Sequence, residues 1–195
     1  MDVLERLRAR ITARQPRDLP PHAHRRAAVL IPVFRAGEVP TVLLTRRTET
    51  VERHKGQISF PGGGEEPDDT DLQATALRET YEEIGLAPDQ VAIWGRLDEV
   101  ETVVSGFAIT PYVGLIPWPV PLRPNPNEIA EILTVPLAVF LDPKNLRIEK
   151  VTREGRPYDL LFYDYPPHVI WGVTARIIHG MVGILQGDAQ PGRAS

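Results

Sequence analysis

The chain of 195 residues is long enough for one well-buried domain, and its 42% hydrophobic and 25% charged residues are ordinary for a globular protein. It contains no cysteine, which excludes disulfides, cysteine-ligated zinc and a thiol nucleophile. Its formal net charge of −4 argues against general nucleic-acid binding, which favours a basic domain.

The first predicted element is an amphipathic helix. Apolar residues fall on one face of residues 2–14, and Asp2 is placed to cap the helix. This start lacks the apolar core of a signal peptide, and no apolar run in the chain approaches the ~20 residues that span a membrane. We therefore expect a cytoplasmic protein that does not enter a membrane.

A β-hairpin is predicted next. Residues 27–34 have the apolar composition of a buried strand, in which Pro32 indicates an edge position or a bulge. A turn at Gly37 leads into a second strand at residues 41–45, and the two strands are expected to pair.

The remaining predicted elements are two helices and several strands. One helix covers residues 72–84 with Gly85 as its C-cap, and an apolar helix covers residues 173–185. Residues 117–127 form a proline-rich loop of the kind that often lines a ligand site. Further strands are predicted at residues 91–98, 108–116, 129–134, 146–151, 159–163 and 168–171.

This order of elements predicts an α/β fold, in which a mixed β-sheet lies between helices as an α/β/α sandwich. Residues 1–195 are expected to form a single domain. Its parts are the N-terminal helix, a core at about 27–187 and a short C-terminal tail.

The most informative segment is an acidic stretch of the predicted helix at 72–84. Glu79, Glu82 and Glu83 stand at i, i+3 and i+4, which places three carboxylates on one helix face. A divalent cation such as Mg²⁺, with oxygen ligands, is the natural partner of such a face. The alternative is a solvated acidic face. Arg78, four residues before Glu82, is placed to orient a carboxylate by a charge-assisted hydrogen bond.

Two features before this helix suit a phosphate ligand. Gly62, Gly63 and Gly64 form a turn whose backbone can approach a substrate closely. A basic strip that would attract a polyphosphate lies upstream, although it could equally be a solvated hairpin. The strip consists of Arg46, Arg47, Arg53 and Lys55.

Residues 63–86 resemble the Nudix box. The second half of the box matches at its fixed positions, which are Arg78, Glu79, Glu82, Glu83 and Gly85, followed by the apolar Leu86. The first half departs, because Thr70 stands where the general pattern has Glu and the segment is one residue longer. Glu66 and Asp69 are the candidates to replace that Glu.

A second pair of motifs is similar to the coenzyme A pyrophosphatase branch of the Nudix family. Residues 43–48 and 56–63 follow the additional motif of that branch, and residues 127–137 and 170–175 are similar to it as well. The resemblance implies the Nudix fold and a substrate of coenzyme A or a derivative. The products would be 3′,5′-ADP and 4′-phosphopantetheine, or its acyl form.

The same resemblance implies a metal-assisted hydrolysis. Glu79, Glu82 and Glu83 would hold Mg²⁺ or Mn²⁺, and the metal would lower the pKa of a bound water. Arg78 would hold a glutamate in its ligating rotamer. The candidates for the general base are Glu82, Glu83, and two glutamates of a later loop that more often would be surface residues, Glu128 and Glu131.

Two other functions remain open at this point. One is a Nudix hydrolase of another nucleoside diphosphate derivative, such as ADP-ribose, NADH or an oxidised nucleotide, because one box serves all of them. The other is a Nudix-fold nucleotide sensor without catalysis. In each case the partner is a small molecule.

Overall fold

The computed structural model describes residues 2–20, 25–49, 56–102, 106–153 and 155–187. Helices in these ranges are α1 (Val3–Ala13), α2 (Leu72–Ile84), α3 (Leu137–Leu141) and α4 (Gly172–Gln186). Strands are β1 (Arg25–Ala36), β2 (Val39–Arg47), β3 (Ile58–Ser59), β4 (Gly62–Gly64), β5 (Ala92–Arg96), β6 (Val100–Glu101), β7 (Phe107–Leu115), β8 (Ile129–Pro136), β9 (Leu146–Arg153), β10 (Arg156–Tyr165) and β11 (His168–Trp171). None of the helices in the described ranges is long and apolar enough to cross a membrane.

The larger sheet is mixed and has β1 at its centre. Its order is β3-β2-β1-β7-β5, while β4 also pairs with β1, β6 with β7 and β8 with β2. Only the β1–β7 pair is parallel among these pairings. The predicted hairpin of β1 and β2 is therefore confirmed.

Pro32 was predicted to mark an edge or a bulge, and the edge position is wrong because Pro32 lies in this central strand. One side of β1 pairs with β4 up to Val29 and with β2 from Val33 onward. Pro32 falls between the two pairings, where the absence of a backbone N–H interrupts neither of them.

Strands β9, β10 and β11 form a second, antiparallel sheet, whereas the sequence predicted a single mixed sheet. These strands pair with their neighbours in the chain through short turns. Leu161, Tyr163 and Ile170 are buried and pack into the same hydrophobic cluster as α4. The small sheet therefore extends the layer that contains α4.

Two hydrophobic clusters lie on opposite faces of the larger sheet. Ile31 and Val33 of β1 pack with α1 and α4, whereas Leu30 and Phe34 pack with α2. This alternation follows from the two-residue period of a strand. It places α2 on one face and α1 with α4 on the other, which confirms the predicted α/β/α sandwich.

Capping residues mark the start of α1 and both ends of α2. Asp2 and Glu5 form a capping box at the start of α1. Asp71 accepts a hydrogen bond from the Ala74 N–H at the start of α2, and Gly85 ends α2 with a φ of 71°. The predicted bounds 72–84 are thus those observed.

Candidate active site

The glycine strand β4 lies directly against α2, and two of its residues have no room for a side chain. A Cβ on Gly63 would overlap the carboxylate of Glu79, and one on Gly62 would overlap the backbone of β1. Gly62 also has a φ of 150°, which other residues rarely adopt. The glycines therefore allow the carboxylates of α2 to lie against the strand.

Arg78 connects this strand to the acidic residues. Its guanidinium donates to both oxygens of Asp69 at 2.9 and 3.0 Å, and to Glu79 and the Gly64 carbonyl at 3.0 Å each. The hydrogen bonds from Arg78 hold the pKa of Asp69 well below its usual range. Thr70, in contrast, is exposed.

Asp69 is thus the acid that fixes Arg78, and it was one of the two candidates for the acid missing at Thr70. Glu66, the other candidate, is mostly exposed and lies 3.8 Å from the Arg78 guanidinium. Glu82 is also near Arg78, at 3.4 Å, but its side chain is 54% exposed.

Glu83 is the most enclosed carboxylate of the site. Its side chain is 3% exposed and accepts hydrogen bonds from Arg47 at 3.2 Å and from the Gly62 N–H at 3.3 Å. Burial raises the pKa of Glu83 to about 8, although Arg47 opposes this shift. Burial also raises the pKa of Glu79.

The chemistry of these residues fits a hard divalent cation. Burial raises the pKa values of Glu79 and Glu83 even though an arginine lies beside each carboxylate, so a further positive charge from a cation would favour their ionised forms. In the ranges that the structure describes, no three such side chains are gathered closely enough to hold a metal ion. The carboxylates point instead at two arginines, because Arg78 attracts Glu79 while Arg47 attracts Glu83.

The predicted basic strip is divided by the structure. Arg46 pairs with Glu131 at 3.0 Å, whereas Arg47 reaches Glu128 at 3.5 Å as well as Glu83. Glu128 and Glu131 are therefore partly exposed residues that each form an ion pair with an arginine of β2. The other two members of the strip, Arg53 and Lys55, lie outside the described residues.

A cavity of about 390 Å³ opens beside the glycine strand. Arg47 and residues 62–64 line one part of it, and the larger part is apolar, with contributions from β7, β10, β11 and α4. The proline-rich loop 117–127 is not among its lining residues. Instead, Arg123 and Asn125 donate backbone hydrogen bonds to the last turn of α2.

The sequence did not point to the contribution of the small sheet and α4. Tyr158, Trp171 and Thr174 line the cavity but had no assigned role. The similarity of residues 170–175 to the coenzyme A branch was the available signal. That similarity gave no indication that this segment would line the same cavity as the glycine strand, which lies more than 100 positions earlier in the chain.

Comparison with known proteins agrees with this architecture. The family model of the NUDIX domain matches residues 24–155. A protein from Photorhabdus laumondii named Uncharacterized Nudix hydrolase NudL is 41% identical over 163 residues, covering 84% of this chain and 86% of the relative. The protein of the same name from Yersinia pestis is 39% identical over 170 residues, covering 84% of each chain.

A solved structure shares the fold. It is the MutT/nudix family protein from Enterococcus faecalis, with a TM-score of 0.53 and 16% identity, and the match covers 86% of this chain and 62% of that one. Together with the family model and the two relatives, this similarity settles the family. The chain belongs to the Nudix hydrolase family.

Proposed function

We propose that this Nudix hydrolase cleaves the pyrophosphate of coenzyme A or of its derivatives, with Mg²⁺ or Mn²⁺ as its metal. The products are 3′,5′-ADP and 4′-phosphopantetheine, or the corresponding acyl form. The choice of substrate is supported by the resemblance of residues 43–48 and 56–63 to the motif of that branch.

One observation carries the proposal. Glu79 and Glu83 lie against the glycine strand that also lines the 390 Å³ cavity. A diphosphate at the mouth of this cavity can approach the backbone of Gly62 and Gly63 without a side chain between them. The apolar part of the cavity then remains for the groups attached to the diphosphate.

The residues have distinct roles in this proposal. Glu79, Glu82 and Glu83 would hold the metal, and Arg78, which donates to Glu79 and Glu82, would keep these two carboxylates in place for it. When bound, the metal neutralises phosphate oxygens and lowers the pKa of a water. Glu82 and Glu83 are the carboxylates of this set that can also accept a proton from the attacking water.

Arg47 is the basic residue best placed for a substrate phosphate. It lines the cavity, and its Nε atom is buried without a hydrogen-bond partner in the described part of the chain. Such a donor favours an acceptor on the ligand, because an unpaired buried polar group costs about 1–3 kcal/mol. Gly62 and Gly63 provide the adjacent backbone surface, while Arg46, the preceding residue of β2, pairs with Glu131 and does not line the cavity.

A substrate panel tests the proposal. Coenzyme A, ADP-ribose, NADH and a nucleoside triphosphate are each incubated with the protein and Mg²⁺, and the products are separated by chromatography. We expect consumption of coenzyme A with formation of 3′,5′-ADP. If only another member of the panel were hydrolysed, the assignment of coenzyme A as the substrate would be wrong. If no member were hydrolysed, a nucleotide sensor without catalysis would be favoured.

Substitution of the helix carboxylates tests the site. Glu82→Gln and Glu83→Gln should each lower turnover by orders of magnitude, because a ligand of the metal is lost. Glu38→Gln, in the exposed turn between β1 and β2, is the matched control and should retain activity. Unchanged turnover in both helix variants would contradict the assignment of the metal face.

A further inference from the structure

We propose that the end of the cavity formed by the N-terminus of α4 binds a second phosphate of the substrate, separate from the diphosphate that is cleaved. The site would select nucleotides with a phosphate monoester on the ribose. The inference rests on the proposed function only in placing the diphosphate at the glutamates. Its evidence comes from other residues.

The first observation is the uncapped start of a long helix. Helix α4 has 15 residues, and its N-cap residue, Trp171, makes no side-chain hydrogen bond to the first turn. Gly172, Val173 and Thr174, the first three residues of the helix, all line the cavity. Backbone N–H groups at a helix start carry partial positive charge and suit an anion.

The second observation is the hydroxyl of Thr174. This residue is 4% exposed, and none of the described residues hydrogen-bonds to its hydroxyl. By comparison, the buried Thr80 in α2 donates to the Ala76 carbonyl at 2.6 Å. The Thr174 Oγ1 atom is not one of the fully buried atoms without a partner, so it opens on the cavity that the residue lines. A ligand oxygen in the cavity would supply the acceptor that Thr174 lacks.

A positive charge lies about one turn after the start of α4. Arg176 lines the cavity, and its Nη2 atom donates to the Glu101 carbonyl at 2.6 Å, which holds the guanidinium at this wall. Two carboxylates, Glu101 and Asp159, also line the cavity, but both residues are exposed, so solvent screens their charge. Arg176 and the helix start therefore favour an anion at this end.

The two ends of the cavity together define a class of substrate. The end lined by residues 62–64 would receive the diphosphate and the α4 end a phosphate monoester, with the apolar wall between them facing the nucleoside. Coenzyme A carries such a monoester at the 3′ position of its ribose, whereas ADP-ribose and NADH do not. The α4 end would thus discriminate among the members of the substrate panel.

Binding measurements on the full chain test the inference without turnover. Adenosine 3′,5′-bisphosphate and AMP are titrated by calorimetry in the presence of chelator. We expect the bisphosphate to bind at least about tenfold more tightly, which corresponds to about 1.4 kcal/mol. Thr174→Val should reduce this ratio at least about threefold, and Arg176→Gln should do so independently. Thr12→Val, on the exposed side of α1, is the matched control.

Equal affinity for the two nucleotides, or an unchanged ratio in both cavity variants, would overturn the inference. Melting temperatures of the variants show that each remains folded. Turnover of coenzyme A and of its form without the 3′-phosphate separates the two proposals. Equal turnover of both would overturn the α4 site but keep the activity. If neither compound were hydrolysed but the bisphosphate still bound more tightly, the proposed activity would be wrong and the proposed α4 site would stand.

Discussion

At the scale of single residues, Arg78 determines how the acidic segment is arranged. It donates to Asp69, to Glu79 and to the carbonyl of Gly64, which come from the loop, the helix and the glycine strand. The guanidinium is suited to this role because its donors lie in one plane in fixed directions. A single side chain thus sets the distance between helix and strand.

The pair of Arg78 and Asp69 predicts a first variant. Asp69→Asn removes the charge that accepts two hydrogen bonds from Arg78, so we expect a loss of about 2 kcal/mol of unfolding free energy. Turnover should fall as well, because Arg78 is no longer held beside Glu79. Denaturant unfolding and initial rates measure the two effects. Asp68→Asn, at the exposed neighbouring position, should change neither, and equal losses in both variants would contradict the role of Asp69.

The buried carboxyl of Glu83 predicts a dependence on pH. Its folded pKa is raised to about 8, whereas a glutamate in an unfolded chain ionises near pH ~4.3. The folded state therefore binds an additional proton between these values, and the stability that this proton contributes is lost as the pH rises toward 8. With chelator present, the melting temperature should fall between about pH 5 and pH 8.

The control for this pH dependence is a neutral side chain at the same position. Glu83→Gln cannot ionise, so its melting temperature should change less over the same range of pH. Glu38→Gln should keep the decline of the unmodified protein, because this residue is exposed. The same decline in all three proteins would show that Glu83 does not cause it.

At the scale of elements, the three glycines of β4 differ in what surrounds them. Gly62→Ala would overlap the backbone of β1 and strain a φ of 150°. We therefore expect the variant to lose about 2–3 kcal/mol of stability and also to lose activity. Gly63→Ala would overlap the Glu79 carboxylate, whose atoms are the nearest to the added Cβ, so we expect lower turnover with little change in stability. Gly64→Ala meets no atom within 4 Å and is the control.

Melting curves and initial rates on this series separate packing from chemistry. If Gly63→Ala lost as much stability as Gly62→Ala, movement of the Glu79 side chain would not be enough to accommodate the added methyl group. Activity lost at Gly64 would show that the backbone of β4, rather than the space beside it, is sensitive to substitution.

Elements differed in how well the sequence predicted them. The bounds of α2 were correct because Asp71 and Gly85 act locally on the backbone. Strands β3, β4 and β6 were missed, because two or three residues are too few for a period to be seen. The second sheet was also missed, since strand patterns do not specify which distant strand will be a partner.

For the molecule as a whole, helix α1 closes one face of the sandwich, away from the candidate site. Leu7 is fully buried in the cluster that includes α4. We expect Leu7→Ala to cost about 3 kcal/mol and to lower the melting temperature by about 6–12 °C. Activity per folded molecule should stay unchanged, because α1 does not line the cavity.

The exposed Val39 supplies the control, and Val39→Ala should lie within about 0.5 kcal/mol of the unmodified protein. Thermal unfolding measures the stability of both variants, and initial rates well below the melting temperature measure the turnover of the folded protein. A lower turnover of folded Leu7→Ala would show that α1 affects the cavity through α4.

The candidate site was predictable only in part. Glu79, Glu82, Glu83 and Arg78 follow from spacing on one helix, which local geometry fixes. The link between Arg47 and Glu83 depends on how β2 meets α2, and the position of Thr174 depends on the docking of α4. Such contacts are set by tertiary packing, and the periodic pattern of one element does not contain them.

The cavity wall is built from two parts of the chain, and this has a consequence for how related proteins could come to bind different ligands. The matched NUDIX region ends at residue 155, yet Tyr158, Trp171 and Thr174 come from beyond it. The glutamates of α2 thus lie inside the matched region, whereas part of the wall that would contact the ligand in the proposed function lies beyond it. A relative with a different sequence after residue 155 could therefore bind a different nucleotide while keeping the glutamates of α2.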